Sequence, residues 1–81
     1  MSQMRRSVVS IPSNIAEGKR RGSDADFRRF LFIAFGSGGE LETQIEISMR
    51  LGYLDKVKAE QLLEQLGEVM RMLNGFLSKS F

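Results

Sequence analysis

The stretch FRRFLFIAFGSGGELETQIEISM, Phe27 to Met49, decides the fold. Its apolar residues recur at Phe27, Phe30, Leu31, Ala34, Leu41, Ile45 and Met49, the spacing of one helix face. Gly36-Ser37-Gly38-Gly39 interrupts the run, and each glycine disfavours helix by about 1 kcal/mol relative to alanine. Either the helix breaks there, or the small residues let a neighbouring helix approach closely. The rhythm resumes in phase, because Phe27, Phe30, Ala34, Gly38, Leu41 and Ile45 keep a three-four step. One continuous helix with a close crossing point is the favoured expectation. Ser23-Asp24-Ala25-Asp26 ahead of it is a capping pattern that also sets carboxylates at the positive end of the helix dipole. Gly52, before Tyr53, suits the C-terminal cap.

Helical spacing extends to both sides. Downstream, Ala59, Leu62, Leu66, Val69, Leu73 and Phe76 fall three, four, three, four and three apart, and Leu63, Met70 and Leu77 widen the stripe. That is the seam of a helix in a bundle. Asp55 is its expected N-cap, Leu54 can staple the first turn, and Gly75 lies where the end can fray. Upstream, Met4, Val8, Ile11 and Ile15 share a face. Pro12 lies inside this segment and removes the bond to the Val8 carbonyl, so a kink or a new turn is expected there. Gly18 to Gly22 reads as the loop to the next helix. Nothing reads as a strand. The expectation is an all-α up-and-down bundle, a single domain over 1–81, with helices at about 2–18, 23–51 and 55–79.

The chain has 81 residues, and one this short buries only about 60% of its unfolded surface. Disulfides, metals or oligomerisation usually assist such domains. With no cysteine and no histidine, thiolate sites and the commonest general base are excluded, and oligomerisation is the aid that remains. The hydrophobic share of 42% and charged share of 27% are those of an ordinary soluble protein. The net charge of +2 is unevenly placed: residues 1–30 carry seven basic against three acidic side chains, residues 31–81 five against seven. The longest apolar stretch, Phe30 to Gly39, is about half a transmembrane span. Met1 precedes polar and basic residues and then a proline, unlike a signal peptide. A cytoplasmic location without membrane contact is expected.

One feature exceeds what a three-helix monomer accommodates. Phe27, Phe30, Leu31 and Ala34 form the inward stripe, while Phe32, Ile33 and Phe35 point elsewhere on the same helix. A helix apolar over most of its circumference is buried on more than one side. Phe32, Ile33 and Phe35 are therefore the expected self-association surface.

Several stretches also carry a family resemblance. Ser10-Ile11-Pro12-Ser13-Asn14-Ile15-Ala16-Glu17-Gly18, Phe27-Arg28-Arg29-Phe30-Leu31, Ile33-Ala34 before Gly36-Ser37, and Glu40-Leu41-Glu42-Thr43-Gln44 resemble the bacterial intervening-sequence proteins of 23S ribosomal RNA genes. A related branch holds the accessory protein of diversity-generating retroelements. The resemblance covers nearly the whole chain. It implies a left-handed four-helix bundle, a ring-like homopentamer, no enzymatic activity, and a nucleic-acid-binding role. Family members usually begin with a further helix ahead of the part matching Gln3-Met4-Arg5-Arg6. The expectation here is three of the four helices, and a groove that is empty, shielded by a neighbour or closed by rearrangement.

Basic residues are the main functional candidates. Lys19, Arg20 and Arg21 fall in the expected first loop, and Arg28 and Arg29 lie just over one turn into the next helix, so all five should cluster. Arg5 and Arg6 sit about 20 Å away along the first helix. Arginine forks suit phosphate oxygens and give salt-sensitive binding largely independent of sequence. Glu17, Asp24 and Asp26 offset part of this charge. Asn14, Glu17, Glu40, Thr43 and Gln44 are an expected interhelical polar network, which would fix register rather than carry out chemistry. Glu40, Glu42 and Glu46 lack the Glu-x-x-His partner of bundle metal sites and read as a solvated face. Gly36 to Gly39 lacks the strand, the lysine and the downstream Ser or Thr of a phosphate-binding loop. No metal, cofactor or catalytic constellation is expected, so the chain is not read as an enzyme. Two functions remain: an oligomer that binds RNA or DNA through its basic end, or a scaffold docking a partner protein such as a reverse transcriptase.

Overall fold

The computed structural model describes residues 2–79, with no account of the Ser2 side chain. Three helices follow one another: α1 (Ser2–Arg21), α2 (Asp24–Arg50) and α3 (Lys56–Leu77). The caps explain their ends. The Ser23 hydroxyl accepts from the Asp26 amide at 3.1 Å, and the Asp55 carboxylate accepts from the Lys58 amide at 2.9 Å. At the end of α2, Gly52 takes φ +83°, and the Tyr53 amide returns to the Ser48 carbonyl at 2.9 Å, closing a Schellman turn.

One expectation about α1 needs correction. The helix does not stop at Gly18; it runs to Arg21, and Gly22 holds the left-handed conformation at φ +82°. Gly18 serves another purpose, because a β-carbon there would lie 2.9 Å from Phe30 Cβ. Pro12 lies within a helix that continues through it. The Gly36–Gly39 stretch is part of continuous α2 as expected. Its crossing point is Gly38, where a β-carbon would collide with the Met70 thioether of α3; Gly36 and Gly39 face open space.

Helices α1 and α3 each lie antiparallel along α2 and do not pack along one another. The molecule is an open V with α2 at the apex, measuring 43 × 23 × 13 Å. The two arms are held by different chemistry. Helix α3 packs through Ala59, Leu66, Leu73 and Leu77 against Leu31, Ala34 and Ile45. Helix α1 adds Ile11 to this core, but much of its seam is small and polar. Ser7 donates to Gln44 Oε1 at 3.1 Å, Ser10 and Ser37 share a bond of 2.7 Å, and Asn14 Nδ2 donates to the Ser10 carbonyl at 2.8 Å. Ser48 donates to the Met4 sulfur at 3.6 Å. Every buried side-chain nitrogen and oxygen among the described residues has a partner, so this seam avoids the desolvation cost of burying hydroxyls.

The inside of the V remains open. Met4, Val8 and Pro12 from α1, Leu41 and Ile45 from α2, and Leu62 and Val69 from α3 line an apolar groove of about 370 Å³. Val8 is 51% exposed, Leu62 38% and Val69 37%. Both apolar stripes are wider than one neighbour can cover, which is how a helix of a larger bundle reads.

Candidate nucleic-acid interface

The antiparallel order brings the C-terminus of α1, the N-terminus of α2 and the C-terminus of α3 to one end of the molecule. Lys19, Arg20 and Arg21 occupy the last turn of α1, not a loop. Arg28 and Arg29 follow in α2, and Arg28 donates to the Lys79 carbonyl at 3.1 Å, which adds Lys79 from the chain beyond α3. Six basic side chains therefore converge here with Glu17, Asp24 and Asp26. Five of them are legible in the sequence; Lys79 joins only through the return of α3.

Rings and carboxylates order these cations. Arg21 and Arg29 lie over the Phe30 ring, at 5.2 and 4.9 Å from its centre. Arg28 covers Phe32 at 5.3 Å, and the Lys79 ammonium covers Phe76 at 5.2 Å. Glu17 accepts from Arg20 at 2.8 Å and from Arg21 at 3.1 Å. Its hydrogen bond and charge attraction to Arg20, followed by the pull of Arg21, hold the Glu17 carboxyl below its ordinary value. The same pairing holds the Arg20 guanidinium above its own ordinary value. Arg29 approaches Asp26 at 3.8 Å. These pairs are exposed and salt-screened, so they orient the guanidinium groups while leaving donors to solvent.

Arg5 and Arg6 are exposed near the start of α1. The contacts of Met4 with Ser48 and of Ser7 with Gln44 put that region beside the far half of α2, so these two arginines do not join the cluster.

The expected polar network is only partly assembled. Gln44 accepts across the α1–α2 seam from Ser7, while Asn14 donates to Ser10 of its own helix. Glu17 turns to arginines of its own helix, Thr43 donates to the Gly39 carbonyl one turn back at 3.3 Å, and Glu40 is exposed. Ser7, Ser10, Ser37 and Ser48 take the remaining places. Their spacing was the available signal: Ser7, Ser10 and Asn14 share one face of α1, and Ser37, Gln44 and Ser48 share one of α2.

Of the expected self-association residues, Phe32 is 54% and Ile33 45% exposed, whereas Phe35 packs against the core. Phe35 stands one turn after Leu31 and follows it inward. Among the described residues no group of three or more acidic, histidine or cysteine side chains is placed to hold a metal. No described helix is long and apolar enough to cross a membrane.

An antiparallel helical bundle with small-residue crossings and a basic end defines a broad class. The chain belongs to the 23S rRNA-intervening sequence protein family, whose model matches residues 1–75. It is also similar to the crystal structure of a protein of unknown function from the S23 ribosomal protein family of Bacteroides thetaiotaomicron VPI-5482. The two share 29% identity and a TM-score of 0.92, over 96% of this chain and 72% of that one. Among curated proteins none matches.

Proposed function

We propose that the protein is a non-catalytic, self-associating helical bundle that binds RNA through phosphate contacts at its basic end. The observation that carries this reading is the convergence of Lys19, Arg20, Arg21, Arg28, Arg29 and Lys79 from three helix ends. Six cations against three carboxylates leave a surplus of positive charge, and the guanidinium groups rest on rings that limit their freedom. A link to intervening sequences of ribosomal RNA, in the family's description, supports an RNA partner. Fluorescence anisotropy with unrelated RNA and DNA strands tests the reading. Binding at low salt that weakens steeply at moderate salt is expected; no binding at low salt refutes it.

Self-association belongs with the groove rather than with Phe32. The groove offers a continuous apolar lining from three helices, whereas Phe32 carries Arg28 over its ring. A chain with no cysteine and about 60% burial gains most from covering such a surface. The groove also favours a second reading, a scaffold that docks a helix of a partner protein. A pull-down that retains one protein after nuclease treatment, from a chain that fails to bind RNA, would favour that second reading.

A further inference from the structure

We infer that the basic end is built for single-stranded rather than double-stranded RNA, with unpaired bases stacking on Phe32 and Phe76. The inference rests on the basic end being the nucleic-acid surface. Five phenylalanines are described, and three of them, Phe27, Phe30 and Phe35, are half-buried. Phe32 and Phe76 are the exposed two, at 54% and 43%. Both belong to the basic end, and each has a cation over its ring, Arg28 at 5.3 Å and Lys79 at 5.2 Å. The bond from Arg28 to the Lys79 carbonyl joins the two ring-and-cation units into one run.

Other apolar side chains are as exposed, Tyr53 at 74% among them; what sets Phe32 and Phe76 apart is the cation over each ring at the basic end. Phosphates alone need only the charges. A ring next to a cation supplies a second contact, because a base has a π-face and its phosphate an anionic edge. Long arginine and lysine side chains can move from ring to phosphate as a base takes their place. Bases in a duplex are already stacked on each other and offer no free face. Phe30 differs, because it is half-buried and carries both Arg21 and Arg29; it positions cations and is not a platform.

The test compares a labelled oligouridylate with an RNA hairpin duplex of equal charge, using the full chain and its Phe32→Leu, Phe76→Leu and double variants. Leucine keeps apolar bulk at exposed positions, and circular dichroism verifies that each variant remains helical. The parent should prefer the single strand. Each substitution should weaken that binding by roughly tenfold, with the salt slope nearly unchanged and duplex binding reduced much less. Equal affinity of the parent for both RNAs, or variants that bind the oligouridylate like the parent, would overturn the stacking inference and leave the basic-end reading standing. Failure of both RNAs to bind at low salt would overturn both.

Discussion

Gly18 faces Phe30 so closely that a β-carbon on it would lie 2.9 Å from Phe30 Cβ and 3.1 Å from Phe27 Cδ1. Gly18→Ala must therefore push α1 away from the start of α2. Overpacking costs about 1–3 kcal/mol, against a helix-propensity gain of about 1 kcal/mol, so a net loss of roughly 1 kcal/mol is expected. Gly36→Ala, on the same physical grounds but with open space beside it, should gain about 0.5–1 kcal/mol. Urea unfolding of the two variants checks the opposite signs.

The exposed groove makes a separate prediction. Leu62→Glu with Val69→Glu places two charges on its α3 wall while leaving Leu66 and Leu73 in the core. The parent should sediment above its monomer mass of 9.2 kDa, and the double variant should sediment as a helical monomer. An unchanged mass for the variant would remove the groove from self-association.

Glu17 couples stability to binding. Its carboxyl is held below the ordinary value by Arg20 and Arg21, so its contribution is present above the ordinary carboxylate range and is lost as pH falls through the lowered value. Glu17→Gln should melt slightly below the parent at neutral pH and low salt, and that difference should close in acid and in high salt. The same variant removes a negative charge from the basic end. It should bind RNA more tightly at low salt, which anisotropy can follow alongside the melts.

Most of the fold was legible because helix period, caps and glycine phase all agreed. Ser23, Asp55 and Gly52 end their helices as their chemistry requires. Gly38 marks a crossing because the apolar rhythm passes through it without a shift. Gly18 misled for a physical reason: glycine serves left-handed caps and close approaches alike, and only the facing Phe30 tells them apart. The serine seam was hidden because hydroxyls are surface residues until a partner across the interface satisfies them. Glu17 and Thr43 looked like interhelical groups, yet each found its partner within its own helix, at short range and low entropic cost. The basic end was legible as charge along the chain. The rings beneath the cations, and the arrival of Lys79, depend on how α3 returns and needed three dimensions.

Nucleic acid is proposed to meet one end of the bundle. The most direct measurement is RNA affinity across a salt series for two variants, one with Lys19, Arg20 and Arg29 changed to glutamine, the other with Arg5 and Arg6 changed. Each lost phosphate contact on a single strand lowers the salt slope by about 0.7, so the first variant should lose a slope of roughly two and more than tenfold in low-salt affinity. The second should bind like the parent. Equal losses in both, or a loss only when Arg5 and Arg6 are changed, would contradict the account.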